Sequence, residues 1–244
     1  LVFVTNPSFA VNMVAKNFPL QPGDQILTTD IEYGACDRTW EYYCARKGAE
    51  YVKQKITLPI TSKEKFIEDF FEGLRPSTKA IFISHITSAT GLIFPVKEIC
   101  AIAKSKGLMT IVDGAHVPAH IAFNLTEIQA DFYTGACHKW MMAPKGASFL
   151  YAHKTVQHIC EPLVVSWGYK AAKPSTSLFL DYHQMIGTLD FSAFLAVTMS
   201  IIFMHDNNWK AVSKSCHEMV LANAPLFYEL LGTQPISPLT NEWI

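Results

Sequence analysis

Between Thr110 and Ala152 the chain reads TIVDGAHVPAHIAFNLTEIQADFYTGACHKWMMAPKGASFLYA, and few folds accommodate that pattern. A short apolar run, Thr110–Val112, stops at Asp113-Gly114-Ala115-His116. A second, Asp131–Thr134, stops at small residues and then His138-Lys139-Trp140, and Gly146–Tyr151 reads as a third strand. Short β-branched or aromatic runs that end abruptly in polar residues are how buried parallel strands look in sequence. Open α/β sheets bind ligands at the carboxyl edge of such strands. The stretch therefore delivers one carboxylate, two histidines and one lysine to a common crevice.

Taken singly, an Asp after a strand is a turn or cap residue, a Lys a solvated charge, and a His hydrogen-bonded filler. Together they carry more, because only 17% of the residues are charged. A lysine placed just past an apolar run is costly to bury unless its amine is chemically used. The set suits pyridoxal phosphate, with Lys139 for the cofactor's aldehyde, Asp113 for the pyridinium nitrogen, and hydrogen-bonding groups for the phenolate and phosphate.

DGAH followed by DFYTGACHKWMMAPKG resembles the core of the class V, cysteine-desulfurase-like PLP-dependent enzymes, and most resembles their isopenicillin N epimerase-like branch. The resemblance implies a three-layer α/β fold, the fold type I large domain with a mainly parallel central sheet. It implies an enzyme acting on an amino acid through an external aldimine and a Cα carbanion. Asp113, His116 and Lys139 would be catalytic, with His116 on the phenolate oxygen and His138 near the phosphate or Lys139. A cysteine desulfurase or C–S lyase on the same scaffold is the alternative reading, and a non-catalytic PLP-fold binding protein the second.

The rest of the chain fits this frame in order. Leu1–Thr5 reads as a strand leading through Asn6-Pro7-Ser8 into a helix over Phe9–Asn17. A helix N-terminus after a strand is a ready phosphate site, and Ser8 matches the relatives' phosphate hydroxyl. Gln25–Thr29 is a strand ending in DIEYGA, and Cys36–Lys47 a helix closed by Gly48; the resemblance places Tyr33 on the pyridine ring. Tyr51–Lys55 is an edge strand, and Ser62–Leu74 an amphipathic helix with Phe66, Phe70 and Leu74 on one face. Lys79–Ser84 is a buried strand and Pro95–Lys106 a helix between a first-turn proline and Gly107. The turn between them, HITSATG, resembles the family loop that reaches the cofactor's phenolate oxygen, which implies Ser88 or Thr87 there, although Thr87 is better suited to satisfying turn backbone.

After Tyr151 the periodicity weakens until GTLDFSA opens an apolar helix, Phe194–His205, followed by another at Lys210–Leu231. The resemblance makes Thr188 a ligand of the neighbouring subunit's phosphate, hence a homodimer with shared active sites. It divides the chain into a PLP-binding large domain, 1–190, and a helical connection, 191–244, towards a small C-terminal domain that is largely missing or truncated. Departures are specific: Ala136 stands where relatives usually carry a polar residue, and Arg38, Arg46 and Arg75 do not match the family's substrate-carboxylate arginine.

A net charge of −1 gives no reason to expect nucleic acid or an anionic membrane as partner. The six cysteines show neither CxxC pairs nor zinc spacing, so no metal is expected and a reducing cytoplasm is. No glycine-rich fingerprint follows a strand, which removes a dinucleotide domain.

Overall fold

A computed structural model describes all 244 residues. Seven strands form one sheet: β1 (Val2–Val4), β2 (Gln25–Thr29), β3 (Glu50–Gln54), β4 (Thr78–Ser84), β5 (Met109–Gly114), β6 (Phe132–Ala136) and β7 (Ser148–Ala152). Their order is β1-β7-β6-β5-β4-β2-β3. Every pairing from β3 across to β6 is parallel, and β7 alone runs antiparallel to both its neighbours. The mainly parallel sheet is as expected. Grouping β7 with the parallel strands needs correcting, because a buried strand has the same composition whichever way it runs.

Helices pack on both faces: α1 (Pro7–Asn17), α2 (Gly34–Lys47), α3 (Lys63–Phe71), α4 (Val96–Ser105), a single turn α5 (Leu125–Ile128), α6 (Leu178–Gln184), α7 (Ser192–Asp206) and α8 (Trp209–Leu231). Successive strand side chains point to opposite faces. Ala80, Phe82 and Ile111 accordingly join α1, α2 and α6 in one core, and Ile81, Ile83 and Val112 join α3 and α4 in the other. This alternation orients the chemistry: Ser84 and Asp113, register partners at the ends of β4 and β5, follow Phe82 and Ile111 onto the α1/α2 face.

Helix ends follow local chemistry. Asn6 caps α1 by accepting from the Phe9 amide at 2.8 Å, and Ser62 caps α3 by accepting from the Lys65 amide at 3.1 Å, each bond worth about 1 kcal/mol. Gly48 closes α2 at φ 67°, a left-handed conformation that costs glycine nothing. α3 stops at Phe71, three residues before the expected Leu74, and Pro95 serves as the N-cap of α4 rather than its first residue. Residues beyond α8 fold back: Trp243 is buried against Phe66, and its carbonyl accepts from the Ile93 amide. No helix is long and apolar enough to cross a membrane.

Candidate active site

The carboxyl ends of β1, β4, β5 and β6 surround a cavity of about 310 Å³. Its lining includes Ser8, Tyr33, Ser88, Asp113, His116, His138 and Lys139, seven of the eight residues singled out in the sequence. Thr188 is the exception and lies exposed on the loop before α7. The cavity also takes in Asn6, Pro7, Ser84, Ile86 and Ala115.

Asp113 is the last acidic residue of β5 and 4% exposed. Its Oδ1 accepts from the Ala115 amide at 3.0 Å, and its Oδ2 meets the Cys36 thiol at 3.5 Å. Burial pushes this carboxyl up, against the pull of the Ala115 amide and the charge of Lys139. Lys139 donates to His116 Nε2 at 2.9 Å. Burial also lowers the lysine, while Asp113 opposes the change. His116 is lowered to about 4, first by burial and then by Lys139, so its ring is neutral and Nε2 is free to accept. An amine with a depressed proton affinity, held by a neutral imidazole, is poised as a nucleophile.

His138 Nδ1 lies 2.9 Å from the Ala147 carbonyl, which can only accept, so that nitrogen donates. At the α1 end, Pro7 has no amide proton and the Phe9 amide is taken by Asn6, leaving the amide and hydroxyl of Ser8 as local donors. Tyr33 is the N-cap residue of α2 and 45% exposed at the cavity mouth. Thr87 satisfies its own turn, accepting from the Leu92 amide and bonding Thr90 Oγ1, while Ser88 faces the cavity.

Sequence reasoning gave no role to Glu32, Ser84 and Cys36. Glu32 is buried and accepts from Thr29 Oγ1, the Ser84 amide and Ser84 Oγ. Burial raises it to about 8, and the nearby Asp113 charge adds to this. The only signal was an acidic residue soon after a buried strand in a charge-poor chain. Beneath the site, the Tyr133 hydroxyl bonds His85 Nδ1 at 2.9 Å and its ring crosses Gly114. A Cβ at Gly114 would lie 2.2 Å from that ring, so only glycine fits between Asp113 and Ala115.

A larger cavity, about 590 Å³ and mostly apolar, lies beside the first between β1, α1 and α7. It holds no carboxylate or lysine, whereas the smaller, polar one holds Asp113 and Lys139.

The aminotransferase class-V family model matches residues 1–228. Isopenicillin N epimerase from Amycolatopsis lactamdurans is 30% identical over 98% of this chain and 63% of its own length. The chain thus spans less than two thirds of that relative. Among solved structures, apo cysteine desulfurase from Thermococcus onnurineus NA1 superposes with a TM-score of 0.78 at 22% identity, over 93% of this chain and 57% of that one. A C-DES mutant with glycine covalently linked to the PLP cofactor gives 0.62 at 23% identity, over 77% and 56%. The two superpositions establish the three-layer fold, and the family match, which covers every residue lining the polar cavity, extends into α8. The chain belongs to the aminotransferase class-V family.

Proposed function

We propose that this chain is the cofactor-binding large domain, 1–190, and helical connection, 191–244, of a pyridoxal-phosphate-dependent enzyme that acts on an amino acid, of isopenicillin N epimerase-like kind. One observation carries the reading: Asp113 and Lys139 converge on one cavity, with His116 holding the lysine nitrogen. The residues fit the cofactor. A buried carboxylate whose only partners are one amide and one thiol retains acceptor capacity for a protonated ring nitrogen. Ser8 at the start of α1 offers donors to a phosphate, and Tyr33 an aromatic face.

Bound there, pyridoxal phosphate supplies an electron sink for a carbanion. The protein's own residues do the rest. Lys139, whose hold on its proton burial weakens, would be the attachment point and would afterwards serve as the base for the substrate's Cα proton. Asp113 keeps the ring nitrogen protonated. His116 orients Nζ, and with Ser88 it would hold the phenolate oxygen of the bound cofactor. His138 lines the cavity, its ring fixed by the Ala147 carbonyl.

The same reading makes the assembly a homodimer. Thr188 is exposed and outside its own cavity, free for a neighbour's phosphate, while Leu195, Met199 and Phe203 on α7 and Phe227 and Leu230 on α8 are more than half exposed. The six unpaired cysteines support a reducing compartment such as the cytoplasm.

Purified protein supplied with pyridoxal phosphate should turn yellow, and borohydride should fix the label on Lys139. A protein that stays colourless, or a label on Lys145, refutes the assignment. In heavy water an amino acid substrate should gain deuterium at Cα. Rapid sulfide release from cysteine without that exchange selects the C–S lyase instead.

A further inference from the structure

Cys36 is one of the buried groups beside the site, with Glu32 and Ser84, that the proposed function leaves without a task. It sits in the first turn of α2, 1% exposed, its amide bonded to the Tyr33 carbonyl at 2.9 Å. Around it lie Trp40 and Cys44 of the same apolar cluster, and its one polar side-chain partner is Asp113 Oδ2 at 3.5 Å. The direction of this bond is settled by chemistry. Burial, reinforced by the charge of Asp113, holds the thiol firmly protonated, so sulfur donates and the carboxylate accepts.

The torsion that turns a carboxylate about its own axis is broad and weakly restrained. The Ala115 amide anchors Oδ1 from the turn after β5, and alone it would leave the plane free to swing. The thiol anchors Oδ2 from a different element, α2, and the two together fix the plane. We infer that Cys36 is a positioning residue: its S–H bond from α2 holds the Asp113 carboxylate oriented towards the ring nitrogen that the proposed function places in this cavity. The inference rests on that reading for the identity of the ring and on the structure for the bond. The same bond favours the ionised carboxylate, which burial opposes. Removing the thiol therefore weakens Asp113 as an anion as well as loosening it.

Packing alone would make Cys36 replaceable by any side chain of its size, and the test separates the two roles. In cofactor-free protein, the S–H stretching band of Cys36 is isolated as the infrared difference between wild type and Cys36→Ala. It should move to higher frequency in Asp113→Asn, whose neutral amide is a weaker acceptor, while the other five thiols stay put. With pyridoxal phosphate added, Cys36→Ala and Cys36→Val should bind it about three- to tenfold more weakly, the worth of one modest hydrogen bond, and shift its visible band. Cys36→Ser, which keeps a donor, should bind it within about twofold of wild type. A Cys36 band indifferent to Asp113→Asn, or Val and Ser variants that both match wild type, overturns the inference and leaves the proposed function standing. An intact infrared shift in a protein that takes up no pyridoxal phosphate overturns the proposed function, and the ring-nitrogen role with it, while the thiol–carboxylate bond stands.

Discussion

Glu32→Gln should stabilise the protein near neutral pH, against the usual expectation for a buried residue with three hydrogen bonds. Burial raises Glu32 from its ordinary 4.5 to about 8 in the folded state. A raised carboxyl contributes stability that is fully present below the unfolded value and is lost as pH climbs to the folded value. Between pH 4.5 and 8 the loss accrues at a little over ~1 kcal/mol per pH unit, reaching about 3 kcal/mol at pH 7 and about 5 kcal/mol above pH 8. Glutamine imitates the protonated acid: its carbonyl accepts from the Ser84 amide and hydroxyl, and its amino group donates to Thr29 Oγ1. The variant has no proton to lose, so its advantage should be absent at pH 4.5 and widen steadily to pH 8. Urea unfolding of both proteins at pH 4.5, 6, 7 and 8.5 measures it. A variant that is less stable at pH 7 by a pH-independent amount would show that the three donors hold Glu32 ionised in the fold, and would refute the reasoning.

Asp113→Asn preserves size but removes the charge that keeps a ring nitrogen protonated, so turnover should fall at least ~10²-fold, about 2.7 kcal/mol in the barrier, with cofactor still bound; steady-state rates and absorbance check both halves. Gly114→Ala forces a Cβ against the Tyr133 ring, which His85 holds in place; thermal or urea unfolding should show a loss of about 1–3 kcal/mol, the usual cost of overpacking. Mixing inactive Lys139→Ala subunits with Thr188→Ala subunits should restore activity, because a hybrid concentrates both defects in one site and leaves the other whole. A mixture as inactive as its parents, or a cofactor-loaded monomer in sedimentation, contradicts shared sites.

The strands were legible because each is a short β-branched or aromatic run with a hard stop. β2 falls on the expected residues, and the others shift by one to a few at either end. α5 was not legible: one turn capped by Asn124 leaves no periodic stripe. Lys139, His116 and Asp113 could be grouped because all three sit just past strand runs, where the topology itself brings side chains together. Glu32 and Cys36 could not, since their partners Ser84 and Asp113 lie 52 and 77 residues away. Only the order in which β2, β4 and β5 stand side by side joins them. A buried thiol or carboxyl carries no local mark that tells packing from positioning, whereas a lysine inside an apolar stretch does.

The two cavities have a shared boundary that links assembly to chemistry. Asn6, Pro7 and Ser8 line the polar cavity, while Thr5 and Phe9, their immediate neighbours in the chain, line the apolar one under α7. α7 is apolar almost all round yet buries only Val197 and Ser200, and α8 buries nothing. A helix of that composition is stable in water only when another surface covers it. In the proposed dimer the second copy is that surface, and it brings Thr188 to the same end of the site that Ser8 occupies. Pro7 withholds one amide there and Asn6 consumes another, so the phosphate end of a single chain is short of donors. If that proposal holds, the sparse donor set of α1 and the uncovered apolar face of α7 are two sides of one arrangement, in which the chain that buries the face also completes the site.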